Sequence, residues 1–350
     1  MGYTHTTTPH WKIVTDSSIR GNNDNNNNGH GHGHGVDRDL CFELVSPVLV
    51  GERGMTNLRN VMSYLRTLGI ATNDTCGFHV HVDATDTSIG CNGRSSNGVG
   101  SLMSLKRICH YFVALENAFD VLVASCNNNS YSNRNSNSNH DRNDASQRYS
   151  KRKRIANNNR YCRSNRILFG QKSNKQRWNL ISSLETTYDL VQTMNPNGDR
   201  YRKLNLTNIT KHDRPSTIEF RQHGGVEDIP TAEAWVRLIL SFCHNLASTT
   251  TTTSSTTTRP YFDSHNCNNH ILDGGVCILD ERATAQDELQ YLLYHIIKCE
   301  GLQQFFTLDR KLFAGKSDDD ISNQWKCRVC RRRFKNSRSL GQHISDCRHY

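Results

Sequence analysis

The chain has 350 residues, enough for one large domain with a small appendage. Only 35% are hydrophobic and the mean hydropathy is -0.70, so part of the chain should lie outside any core, and no apolar run approaches the roughly 18 residues of a membrane-crossing helix. The net charge of +10 is concentrated: residues 127–178 carry 13 Lys/Arg against Asp141 and Asp144, and residues 326–350 carry 8 against Asp346, which leaves an acidic remainder and makes the overall basic charge a weak argument for a nucleic-acid-binding body.

In chain order, Met1-Gly-Tyr-Thr-His-Thr lacks a basic stretch with an apolar run behind it, so no signal peptide is expected. Residues 11–14 and 40–45 read as short strands. Residues 22–35, between them, are Asn, Gly and His apart from Asp24; His30, His32 and His34 read there as low complexity rather than as a metal site. Thr56 N-caps a predicted helix running to Leu68, with Leu58, Val61, Met62, Leu65 and Leu68 on one face and Gly69 ending it. Residues 77–83 alternate as a strand, residues 102–124 read as one long helix, and residues 126–159 are rich in Asn, Ser and Arg. Residues 201–208 and 217–222 read as strands. Residues 231–247 read as a helix with Trp235, Leu238, Ile239 and Phe242 inward, and residues 284–299 as another. The mixture predicts an α+β fold with alternating, antiparallel-style strands. The expected organisation is a domain over 9–300 with disordered, low-complexity inserts at about 21–36, 127–159 and 248–258, a linker over 301–324, and a small module over 325–350.

Several strands carry polar side chains that a simple core would not place there. Asp16 follows one strand and Glu43 sits inside another. His79, His81 and Asp83 share one strand face, and Glu219 and Arg221 share another. Singly, each is an exposed side chain or a surface ion pair. Jointly, on one sheet, they place carboxylates, imidazoles and a guanidinium on a single face, a composition suited to divalent metal and phosphate.

Trp11-Lys-Ile-Val-Thr-Asp-Ser-Ser-Ile, Phe42-Glu-Leu-Val-Ser-Pro, Cys76-Gly-Phe-His-Val-His-Val and Thr217-Ile-Glu-Phe-Arg-Gln-His-Gly, in this order, resemble the amidoligase family, relatives of glutamine synthetase and glutamate–cysteine ligase. Arg160-Tyr-Cys-Arg and Ala234-Trp-Val-Arg fit the same pattern, which covers about residues 9–247. The resemblance implies a curved antiparallel sheet of carboxylate–amine ligase type whose concave face holds ATP and Mg²⁺. It implies that ATP phosphorylates a substrate carboxylate and that an amine substrate then displaces phosphate to give an amide. By similarity, Glu43 and Glu219 are metal ligands, and His79 aligns with a Gly-x-His motif that contacts nucleotide or metal. His81 lies beside it, and Arg221 contacts phosphate. Asp16 ranks below these. The Asn/Arg-rich insert occupies the region where the family carries basic residues near the substrate, so Arg152, Arg154 and Arg160 are all candidates there.

Cys327-x2-Cys330 is followed by twelve residues and His343, with Phe334 and Leu340 placed to form a miniature core. This is the spacing of a ββα two-Cys/two-His zinc finger holding Zn²⁺. Cys347, at i+4 on a helix, and His349, at His-x5-His spacing, both qualify as the fourth ligand. Its Arg and Lys side chains allow weak nucleic-acid or protein contact, although one finger reads only about three base pairs. An alternative function is therefore a catalytically inactive ligase scaffold acting as a zinc-finger adaptor. Thirteen cysteines, an odd number without a compact framework, are expected to be mostly reduced thiols in a cytoplasmic or nuclear protein.

Overall fold

A computed structural model describes residues 8–16, 18–19, 41–73, 75–85, 100–125, 159–247, 270–273, 276–279 and 283–311. Cys327, Cys330, His343, Cys347 and His349 lie outside the described residues. So do Arg152, Arg154 and the low-complexity inserts apart from Asn159 and a few flanking positions.

Strands β1 (Lys12–Thr15) and β2 (Phe42–Val45) pair antiparallel, with Val14 opposite Glu43. Helix α1 (Gly51–Thr67) begins more than a turn before the expected Thr56 cap. Its first turn closes on Val50, whose carbonyl accepts from Gly54 N at 2.9 Å. Only glycine fits there, because a Cβ on Gly54 would lie 2.9 Å from Leu49 backbone carbon. Thr56 is thus an exposed interior residue of the helix. Gly69, at φ +70°, ends the helix as expected. Trp11 Nε1 donates to Asn57 Oδ1 at 2.6 Å, tying the β1–β2 pair to α1.

Strands β3 (Gly77–Asp83), β4 (Leu204–Asn205) and β5 (Thr217–Gly224) form an antiparallel sheet ordered β3-β5-β4. The ladder slips between Phe78 and Val80, so His79 faces two residues of β5. The segment around Arg163 runs parallel beside Arg202, with Arg163 N donating to Tyr201 O at 2.8 Å and Lys203 N to Arg163 O at 2.9 Å. The expected strand over 201–208 shrinks to two residues because Thr207 N turns back onto Asn205 Oδ1 at 2.9 Å. A further antiparallel pair is β6 (His270–Asp273) with β7 (Val276–Leu279).

The helices are α2 (Leu102–Ala114), α3 (Glu116–Ser125), α4 (Asn174–Ser183), α5 (Thr187–Met194), α6 (Ile229–Ala247), α7 (Ala285–Tyr291) and α8 (Glu300–Lys311). A π-helical turn, Leu292–Ile297, follows α7. The expected long helix over 102–124 breaks at Leu115, one residue before a buried Glu116 that accepts the backbone N–H groups of Asn165 and Arg166 at 3.0 Å each. The segment read as a linker starts as α8 instead. Leu302, Phe305 and Phe306, spaced for one helical face, are buried in the core.

One face of the three-stranded sheet carries Val80, Val82, Ile218 and Phe220 against α2, α3 and α6. Phe220 meets Phe112 at 5.8 Å between centroids, and Phe119 meets Phe242 at 5.2 Å, both edge to face. Trp235, Leu238, Ile239 and Phe242 of α6 are fully buried, as their spacing predicts. The fold is therefore mixed α+β. Its strands form small separate antiparallel sheets among the described residues, rather than one hydrogen-bonded curved sheet. Cys41, Cys76, Cys109, Cys162, Cys243 and Cys299 are free thiols, and no described helix is long and apolar enough to cross a membrane.

Candidate active site

The face of β3-β5-β4 opposite the core carries the polar residues. Pairing places His81 opposite Glu219 and Asn205 opposite Glu219, so His81, Glu219 and Asn205 form one row across three strands. Glu219 is 5% exposed and is the hub. Its Oε2 accepts from Asn205 Nδ2 at 2.6 Å, and its Oε1 accepts from Arg221 Nη1. His79 Nδ1 lies 3.4 Å and His81 Nε2 3.6 Å from the same Oε1. Thr217 Oγ1, 3.1 Å from His81 Nδ1, orients that ring from its other side. Burial alone would push the Glu219 carboxyl up; His81, Arg221 and the Asn205 amide together outweigh it and hold the group below its usual range.

Glu43 reaches this neighbourhood from β2. Its carboxyl is pushed up, first by burial and then by repulsion from Asp16 and Glu219, with Arg221 and Arg200 pulling the other way. Three carboxylates from three distant stretches of chain thus share one electrostatic environment. Asp16 Oδ1 also accepts from Ser18 N at 2.8 Å, which fixes the turn after β1. No group of three His, Cys, Asp or Glu side chains among the described residues is arranged as a ready-made metal site. The donor chemistry still fits a hard divalent cation, because crowded carboxylate oxygens that repel one another lose that repulsion when a cation sits among them.

Of the residues expected at the site, His79, His81, Glu219 and Arg221 are brought together, and Glu43 lies within the electrostatic reach of Asp16, Glu219 and Arg221. Arg160 is described and lies against the Tyr161 ring. Asn205, Thr217 and Tyr201 were not singled out by the sequence. The Arg221 guanidinium lies 5.9 Å from the Tyr201 ring centroid, and the Cys162 thiol donates to Arg221 O at 3.4 Å. An amide on a predicted strand, Asn205, was the one available signal.

A second polar cluster lies beneath the sheet. Lys203 is fully buried, and its Nζ donates to Glu116 Oε1 at 3.0 Å and to Asp120 Oδ2 at 2.6 Å. Gln222, on the core side of β5, donates to Asp120 Oδ1 at 3.0 Å. One ammonium faces two carboxylates. The surplus negative charge falls on Asp120, which burial pushes up to about 6 despite Lys203; Lys203 itself is raised, the two carboxylates overriding its burial.

No curated protein and no solved structure matches the chain. A family model described as "putative amidoligase enzyme" matches residues 1–243, more than half of the chain and all the strands and side chains of the face just described. The chain belongs to this amidoligase family.

Proposed function

We propose that the protein is an ATP- and Mg²⁺-dependent ligase, of carboxylate–amine ligase type, that joins a carboxylate to an amine through an acyl phosphate. The observation that carries this reading is the convergence of His79, His81, Asn205 and Arg221 on Glu219, with Glu43 in the same field. Family membership supports a ligase activity.

Glu43 and Glu219 are the residues that would hold Mg²⁺, which supplies charge neutralisation of the nucleotide phosphates. Arg221, fixed between Glu219 and the Tyr201 ring, meets charge on the transferred phosphoryl group. His79 and His81 line the same face, and His81 with Arg221 and Asn205 keeps Glu219 ionised. In the first step a carboxylate oxygen of the acid bonds to the γ-phosphorus while the bond to the ADP oxygen breaks. In the second, the amine nitrogen bonds to the acyl carbon, phosphate leaves with the bonding pair, and the nitrogen sheds a proton.

The test is ADP release by the full chain, with Mg²⁺, over a panel of acid and amine pairs. Release that needs both substrates is expected, and Glu43→Gln or Glu219→Gln should lower it by about a hundredfold or more while the circular dichroism spectrum is retained. A folded protein that releases no ADP with any pair overturns the ligase reading and leaves an inactive scaffold. On spacing alone, we also propose that Cys327, Cys330, His343 and either Cys347 or His349 bind one Zn²⁺.

A further inference from the structure

A chain of polar contacts runs behind Glu219, and its outer end has no part in the chemistry above. Asn208 Nδ2 donates to Thr217 Oγ1 at 3.2 Å, Thr217 Oγ1 lies 3.1 Å from His81 Nδ1, and His81 Nε2 faces Glu219 Oε1 at 3.6 Å. The other carboxylate oxygen accepts from Asn205 Nδ2 at 2.6 Å. Asn205 and Asn208 belong to one tight segment. In it Thr207 N donates to Asn205 Oδ1 at 2.9 Å, Leu206 N to Asn195 Oδ1 at 2.9 Å, and Ile209 N to Leu206 O at 3.0 Å. A single turn after β4 thus reaches the Glu219–His81 pair from two sides, directly through Asn205 and by way of Thr217 through Asn208.

The hydrogens in this chain can be assigned from its carboxylate end. Both oxygens of Glu219 already accept, one from Asn205 and one from Arg221, so this group acts as an acceptor. A ring nitrogen presenting a lone pair would be repelled by it, and a ring nitrogen bearing hydrogen would be attracted. Nε2 of His81 therefore carries the hydrogen. In a neutral imidazole the other nitrogen is then an acceptor, and the partner of Nδ1 has to donate. Thr217 has one hydroxyl hydrogen to give. The Asn208 amide nitrogen can only donate, so it fills a lone pair on Thr217 Oγ1 and leaves that hydrogen for His81. Donation running from Asn208 through Thr217 and His81 toward Glu219 satisfies each group in turn.

We propose that Thr217 and Asn208 are positioning residues that hold His81 as the tautomer with its hydrogen on Nε2, directed at Glu219. With the hydrogen on Nδ1 instead, the ring would present a lone pair beside Glu219 and could ligate a cation there, so the tautomer decides which of the two the ring does. The tautomer stands on the geometry alone; its consequence for turnover rests on the ligase reading.

The experiment is long-range proton–nitrogen correlation NMR of the full chain labelled with ¹⁵N-histidine, at about pH 8 and without metal or nucleotide. The His81 signals are assigned by their loss in His81→Gln. Nδ1 should resonate as an unprotonated ring nitrogen and Nε2 as a protonated one. The parent spectrum tests the assignment without any substitution, and an unprotonated Nε2 overturns the proposal. Thr217→Val removes the hydroxyl at nearly constant volume and should draw the two signals together as the tautomers mix. Thr217→Ser should restore the parent spectrum, and Asn208→Leu should move it the same way as Thr217→Val but less. A folded Thr217→Val variant with the parent spectrum overturns the positioning role. In turnover, Thr217→Val should lower kcat for ADP release about tenfold, and Thr217→Ser should recover most of it. If the tautomer follows Thr217 but no acid and amine pair releases ADP, the positioning role stands and the ligase reading fails. If ADP is released and Thr217→Val changes neither the spectrum nor kcat, the ligase reading stands and the positioning role fails.

Discussion

His81 and Glu219 stand directly opposite each other across the β3–β5 ladder, with His81 Nε2 3.6 Å from Glu219 Oε1. Among the influences that lower the Glu219 carboxyl, His81 is the largest, ahead of Arg221 and Asn205. A carboxyl held low by an imidazole should be freed upward when that ring is lost. His81→Ala should therefore move the acid limb of turnover to higher pH, because Glu219 then takes up its proton earlier as pH falls. The pH profile of kcat/KM measures this. An acid limb that does not move would show that Glu219 is not the group titrating there.

Asn205 makes a separate contribution. Its amide supplies Glu219 Oε2 with a donor at 2.6 Å, and its carbonyl caps Thr207 N at 2.9 Å. Asn205→Leu keeps much of the volume and removes both hydrogen bonds in a buried setting. The cost should be about 1–3 kcal/mol for each buried group left unsatisfied, read from the urea unfolding midpoint. Asn205→Asp should cost more, since it sets a second buried carboxylate against Glu219.

Period two was enough to find most of this face. Glu43, His79, His81, Glu219 and Arg221 all announce themselves as polar residues on strand patterns, and their strands form close to where the alternation puts them. Asn205, Tyr201 and Lys203 did not, because their roles depend on which strand lies beside β5 and on what packs beneath it. The helix pattern failed locally for the same reason. The start of α1 is set by a close approach between Gly54 and Leu49, which no periodicity encodes. Helix α4 carries a weak apolar stripe, although Ser173 and Gln176 form a capping box, and α5 has Thr186 as its cap with Leu190, Val191 and Met194 buried, signals that sequence reading could have used. Arg166 and Glu288, 3.0 Å apart and far apart in sequence, join the turn after Asn165 to α7, a contact invisible until the chain is folded.

The zinc assignment is open to direct measurement. The purified full chain should carry one equivalent of Zn²⁺ by elemental analysis, and Cys327→Ser or Cys330→Ser should abolish it. Comparing Cys347→Ser with His349→Ala decides the fourth ligand, since only the true ligand's loss should weaken retention against a chelator. Metal content unchanged in Cys327→Ser would refute the assignment.

The cluster under the sheet predicts an unusual pH response. In unfolded chains an aspartate releases its proton near pH 4, whereas Asp120 in the fold is pushed up to about 6. Between those values the folded state keeps a proton that the unfolded state has lost, so this group's contribution to stability falls as pH rises through the window and levels off above it. The amplitude is about 1.4 kcal/mol for each pH unit separating the two values, an upper figure of roughly 3 kcal/mol. Asp120→Asn should flatten that slope and leave Lys203 and Glu116 as a balanced pair, with stability at pH 7 equal to or above that of the parent. Lys203→Met does the opposite. It strands two carboxylates below the sheet and should cost about 3–5 kcal/mol. In the double variant Glu116 still accepts the Asn165 and Arg166 N–H groups, so the loss should fall well short of the single Lys203→Met cost. Urea unfolding of the three variants from pH 4 to 8 reads all of these. An Asp120→Asn curve parallel to the parent across the window would mean that the surplus charge is not carried by Asp120.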